Sequence, residues 1–288
     1  MNQVVGISSF SLTNTMIHIV QQDLQYNKLK RIGIQMTKIA LIDADIFQYE
    51  FGSATDNEYK PLAWPLVHSR LQARISGILE ATGCKKYKLF LTSNDKSCFR
   101  YYIASIRLYK ANRASEKPHW YYPIRNFLID HRGAQEVSGM EADDAISIEQ
   151  YSSDPESTVI CSRDKDLNMV PGWHYSWGAG LQKEKLMWYQ DEIGGLKSFY
   201  KQLLTGDAVD NIPGLFGVGK SSSLLKKIDQ MNSGNEMFTF CYDEYYKRFG
   251  YYADKFIEEN SRLLWMLRSK DDKGPVYEEL KNLRPRDL

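Results

Sequence analysis

Nine acidic residues recur along the chain in short packets: Asp43, Asp95, the block Glu141-Ala142-Asp143-Asp144, the turn Asp164-Lys165-Asp166, and the pair Asp207 and Asp210. Carboxylates gathered at one place repel each other, and hard cations between them let them stay ionised and close together. Five of them, Asp43, Asp95, Glu141, Asp164 and Asp166, directly follow apolar runs or the turns after those runs. Two divalent ions about 4 Å apart can grip a scissile phosphate, one favouring hydroxide and the other stabilising the leaving oxygen. Oxygen donors suit Mg2+, with Mn2+ as a substitute, and no cysteine or histidine cluster has zinc-ligand spacing. Each packet alone also has a plain reading: Asp95 as a turn residue, 141–144 as an acidic first helical turn, 164–166 as a solvated turn. Asp45 reads as a cap more than a ligand. Recurrence after three strands is what joins the packets.

Basic and aromatic residues alternate with these packets. Arg100, Arg107, Lys110, Arg113 and Lys117 share a segment with Phe99, Tyr101, Tyr102, Tyr109, Trp120 and Tyr121. Cations neutralise phosphates and rings stack on bases; a solvated amphipathic helix is the plain alternative. Lys110 and Arg113, three apart, can face one phosphate together. Further on, Gly214, Gly217 and Gly219 lead to Lys220, so backbone amides can approach a phosphate closely. The letters from Gly214 to Ser221 satisfy a nucleotide-binding loop, but no buried strand precedes them, and a helix–turn–helix hairpin fits better.

Elements that would position these groups are legible. Ile39–Ile42 reads as a buried parallel strand ending at Asp43, and 87–91 and 158–161 as two more. Helices are expected over 62–81, 121–130, from 140 to 149, and over 221–228, 238–249 and 256–267, with further strands at 134–138 and 170–177. The alternation predicts an α/β fold with a mostly parallel central sheet, flanking helices and a helical C-terminal region. Ligands bind beyond strand C-termini in such sheets. By phase, Glu141 and Asp144 share a helix face and Asp143 points elsewhere, able to bridge two ions. Residues 1–35 read as an extension of uncertain role, 36–195 as the core, and 196–288 as the helical region.

Composition excludes little beyond disorder: 288 residues, 43% hydrophobic, with 37 basic against 36 acidic side chains. Four scattered cysteines read as reduced thiols in a reducing cytoplasm. No run of 18 apolar residues suggests a membrane span.

These motifs together resemble the 5′ nuclease (flap endonuclease) family, in particular the stand-alone phage 5′–3′ exonucleases and the nuclease domain of bacterial DNA polymerase I. The match runs over roughly 38–225: Leu41-Ile-Asp43, Asp95 to Arg100, Tyr109-Lys-Ala-Asn-Arg113, Met140 to Asp144, Ser162 to Asp166, and Gly206 to Lys220. The resemblance implies a PIN-like core, an arch or clamp at 96–120, and a helix–two-turn–helix motif at 206–220. It implies Asp43, Asp95, Glu141, Asp143, Asp144, Asp164, Asp166 and Asp210 as metal ligands, with Asp207 in support. Lys110 and Arg113 would approach the phosphate. Arg100, Gly214, Gly217, Gly219 and Lys220 would contact DNA, with K+ at the hairpin in some members. The activity implied is 5′–3′ exonucleolytic cleavage of duplex DNA at 5′ ends, nicks or flaps, and removal of RNA from hybrids. A flap endonuclease is the first alternative and a non-catalytic DNA-structure-binding protein the second. A monomer working beside a replicative polymerase in a bacterial or phage-infected cytoplasm is also implied, with no membrane partner.

Overall fold

The computed structural model describes residues 38–56, 58–113 and 116–283; the expected N-terminal extension lies outside them. Six strands form one sheet: β1 (Ile39–Asp43), β2 (Lys86–Thr92), β3 (Gln135–Val137), β4 (Thr158–Cys161), β5 (Gly172–Ser176) and β6 (Lys185–Gln190). Their order is β3-β2-β1-β4-β5-β6, parallel throughout except for the antiparallel edge strand β6. Alternate side chains of the central strands enter opposite cores. Leu41, Phe90 and Ile160 point into one, while Ala40, Ile42, Leu89, Leu91, Val159 and Cys161 point into the other. Both faces being covered explains why these strands are uninterrupted apolar runs. Each fully buried Leu or Ile contributes about 1.5–3 kcal/mol.

Helices close both faces. On one side pack α1 (Asp45–Glu50), α2 (Trp64–Thr82) and, beyond the short α3 (Arg100–Ile103), α4 (Tyr121–Arg132). Pro65 sits in the first turn of α2, where its missing N–H has no partner to lose, and Gly83 closes it at φ 67°. On the other side, α5 (Ala142–Ser152) and α6 (Glu192–Thr205) share one core with the C-terminal helices. These are α7 (Ser223–Gln230), α8 (Gly234–Phe249), α9 (Ala253–Leu264) and α10 (Pro275–Leu283). Between α6 and α7 a two-residue ladder pairs β7 (Gly206–Asp207) with β8 (Ile212–Pro213). A Cβ on Gly214 would lie 2.1 Å from the Thr205 carbonyl carbon, so glycine there is required by backbone packing.

The mostly parallel sheet, the flanking helices and the helical C-terminal region match the expectation. Strand β6 and helix α10 were not expected: β6 is an edge strand without strict alternation, and charged residues mask α10. All four cysteines are buried and free. Among the described residues no helix is long and apolar enough to cross a membrane.

Candidate active site

Strand β1 lies between β2 and β4, so the chain leaves the sheet in opposite directions on either side of it, and a crevice opens beyond the strand ends. A cavity of about 250 Å3 lies there. Eight carboxylates line it: Asp43, Asp45, Glu141, Asp143, Asp164, Asp166, Asp207 and Asp210. Four cationic residues, Arg100, Lys110, Arg113 and Lys165, line it too.

Asp43 ends β1. Its Oδ2 accepts from Ser162 Oγ at 2.9 Å and its Oδ1 from the Asp45 amide at 3.2 Å. Burial, then repulsion from Asp45 and Asp164, pushes its carboxyl up to about 8. Asp45 accepts from the Thr92 amide and the Gln48 side chain, so it ties the end of β2 to α1. The turn after β4 is built by its own side chains: Ser162 Oγ accepts from the Asp164 amide at 3.0 Å, and Asp164 Oδ1 from the Asp166 amide at 2.9 Å. Burial raises both carboxyls, that of Asp166 to about 6.

Glu141 is the N-cap of α5, with extended backbone at φ −92° and ψ 164°. It therefore stands outside the helix, and helical phase does not apply to it. This reverses the expected geometry: Asp143 faces the cavity with Glu141, and Asp144 turns inward. Asp143 Oδ1 is buried without a hydrogen-bond partner. Burial, then Asp43, Asp164 and Glu141, pushes the Asp143 carboxyl well above the carboxylate range.

Lys110 and Arg113 reach the cavity from a segment that straps its mouth. The Lys110 amide donates to the Asp210 carbonyl at 2.9 Å, Asn112 Nδ2 to the Ala208 carbonyl at 2.6 Å, and Asn211 Nδ2 to the Leu108 carbonyl at 2.9 Å. Lys110 and Asn211 both hold left-handed backbone, at φ 55° and 59°. That costs a lysine about 1–2 kcal/mol, offset by this ladder. The Lys110 ammonium pairs with Glu141, and the Arg113 guanidinium with Asp210. Tyr109 Oη donates to Glu141 Oε2 or Asp210 Oδ2, at 2.9 and 2.8 Å. Burial alone would raise the Glu141 carboxyl; Lys110 and Arg100 outweigh it and hold it low.

Several expected site residues fall elsewhere. Asp95 is exposed and does not line the cavity. It accepts from the Ser97 amide and Ser138 Oγ, both at 2.8 Å, and so holds a turn together. Asp144 is fully buried and pairs with Arg100, whose Nε and Nη2 also donate to the Leu263 and Trp265 carbonyls at 2.8 Å. The Arg100 side chain is 1% exposed, so it stands at the buried back of the cavity and not on the outer surface. Gly217, Gly219 and Lys220 are exposed on the hairpin surface outside the cavity, while Gly214 is set by its packing. The segment at 96–120 is a strap with one short helix in its described residues. Sequence reasoning missed Lys165, Gln202 and Tyr49. Lys165 and Tyr49 line the cavity, and Gln202 hydrogen-bonds to Asp166 and Asp207, which line it. Tyr49 lies four residues after Asp45, one helical turn further along α1, which is the signal that could have found it.

Among the described residues no trio of Asp, Glu, His or Cys is posed as a ready metal-ligand set. Lys110, Arg113 and Lys165 instead draw Glu141, Asp210, Asp166 and Asp207 to themselves. The donor chemistry nevertheless fits a hard cation: all donors are oxygen, acids outnumber bases, and one buried carboxylate oxygen of Asp143 is orphaned.

No family model and no curated protein matches the chain. Among solved structures, it is similar to a bacteriophage T5 flap endonuclease in a pseudo-enzyme–product complex with DNA and metal ions. The identity is 15%, the TM-score 0.46, and the alignment covers 79% of this chain and 99% of that one. A T5 5′-exonuclease mutant aligns at 13% identity and TM-score 0.41, over 80% and 100% of the two chains. The catalytic core of Rad2 in complex with DNA substrate aligns at 15% and 0.45, over 85% and 86%. Superpositions this loose leave function to the geometry of the site itself.

Proposed function

We propose that the chain is a metal-dependent phosphodiesterase acting 5′–3′ at the 5′ ends of duplex DNA. The observation that carries this is the convergence of eight carboxylates, from segments between residues 43 and 210, into one cavity with Lys110 and Arg113 at its mouth. Asp43, Glu141, Asp143, Asp164, Asp166, Asp207 and Asp210 would hold the divalent cations, Mg2+ or Mn2+. Those ions, when bound, would supply charge neutralisation and activate water.

The chain's own groups do the rest. Lys110 and Arg113 are paired with Glu141 and Asp210, so a phosphate entering the cavity exchanges one anionic partner for another. Their charge then offsets the charge that builds on the phosphoryl oxygens in the transition state. Tyr109, bonded between Glu141 and Asp210, holds those two carboxylates in register. The exposed hairpin residues Gly217 and Gly219, with Lys220, would grip a duplex phosphate away from the cut, with K+ proposed at the same turn.

Digestion of end-labelled blunt, nicked and 5′-flapped duplexes with and without Mg2+ tests this. The expected products are mononucleotides or short oligonucleotides released from 5′ ends. Cleavage of the flapped duplex alone would make the chain a flap endonuclease. Binding without cleavage would make it a DNA-structure-binding protein. An RNA–DNA hybrid in the same assay reports primer removal.

A further inference from the structure

We propose that Lys165 is a built-in counter-ion: in the cation-free protein its ammonium holds a position that one divalent ion takes, and the two compete. This builds on the cavity being a divalent-cation site. Lys165 Nζ donates to Asp166 Oδ1 at 2.7 Å and Asp207 Oδ2 at 2.6 Å. Gln202 Nε2 donates to the same two oxygens, at 2.8 and 3.1 Å. Two carboxylate oxygens from separate segments therefore converge on one notch, and a positive charge fills it.

The notch is fixed and its occupant is not. Asp207 is 5% exposed, and its Oδ1 accepts from the Val209 amide at 2.8 Å. Asp166 is 17% exposed and seated on the Asp164 turn. The Lys165 side chain is 56% exposed, so its stem can swing into water while its backbone stays in place. Lys110, by contrast, is 14% exposed and enclosed. An ammonium and a divalent ion cannot share two oxygens, because like charges at that spacing repel strongly. Filling the notch with the ion expels the ammonium outward into solvent, where its side chain is already half exposed. Until then the ammonium keeps Asp166 and Asp207 from forcing the site apart. It also sets cation affinity below what the number of acids would otherwise allow.

The test measures Mn2+ binding to the full-length protein without DNA, by calorimetry and by the electron paramagnetic resonance of free Mn2+. Wild type, Lys165→Met and Lys165→Arg are compared. Wild type is expected to bind two ions of unequal affinity. Lys165→Met tightens the weaker one by about tenfold, within the usual range of coupling between two ligands, and Lys165→Arg does not. In chelator, Lys165→Met melts below wild type, and saturating Mn2+ closes the gap. A purely structural lysine would lower the melting midpoint equally with and without Mn2+, and that result overturns the proposal. Unchanged or weaker Mn2+ binding by Lys165→Met also overturns it and leaves the cation site standing. Wild type binding no Mn2+ removes both.

Discussion

At Asp143 a carboxylate is held among Asp43, Asp164 and Glu141 with one buried oxygen unpartnered. Such a group is a burden to the cation-free fold and an asset once a cation arrives. Asp143→Asn is therefore expected to melt at or above the wild-type temperature in chelator while losing Mg2+-dependent turnover. Wild-type turnover by the purified variant would remove Asp143 from the site. Lys110 carries the complementary case. In the proposed reaction its charge would matter most as the phosphoryl group gains charge, so Lys110→Met should lower kcat by about 10²–10³-fold with a smaller effect on KM. A change confined to KM would make Lys110 a binding residue only.

At the scale of elements, the Arg100–Asp144 pair clamps α3 and α5 to the chain at 263–267. Asp144 also accepts from the Leu267 amide at 3.2 Å. Removing one partner leaves a buried charge alone, which costs about 3–5 kcal/mol. Arg100→Met should show that loss in urea unfolding monitored by circular dichroism; a loss of DNA binding with stability intact would restore Arg100 to the DNA surface. His174 in β5 gives a pH dependence. It is buried against the stacked Trp188 ring, and desolvation lowers its pKa to about 4, against 6.5 for the free residue. The unfolded chain takes up the proton first as pH falls, so stability drops from about pH 6.5 down to about pH 4 and is unaffected above. Between pH 7.5 and pH 5, wild type should lose roughly 2 kcal/mol that His174→Gln does not. Equal losses in both proteins would show that His174 is not the group responsible.

Over the whole molecule, the cavity joins the strand ends, the strap at 104–113 and the hairpin after α6. Any cation that binds there binds the folded state alone. Mg2+ should therefore raise the thermal midpoint with the logarithm of its concentration above Kd, adding about 2.7 kcal/mol of stability at a hundredfold excess. Asp143→Asn should respond far less, and an equal rise in both would place the ion elsewhere.

What the amino-acid order by itself determined was the sheet and the acids at its edge. Parallel strands covered on both faces must be unbroken apolar runs, as at Ile39–Ile42 and Thr158–Cys161, so both strands and their C-terminal ends were legible. Asp43 closes the first of those strands, and local turn chemistry places Asp164 and Asp166 beyond the second. Only the tertiary structure decided which acids meet. Glu141 stands outside its helix as a cap, which sends Asp143 rather than Asp144 to the cavity; Arg100, from 44 residues away, takes Asp144 into the core. Asp95 stays with its own serines, and Lys165 meets Asp207 across 42 residues. Charge pairing acts through space and burial, and neither is written in the spacing of residues along a chain.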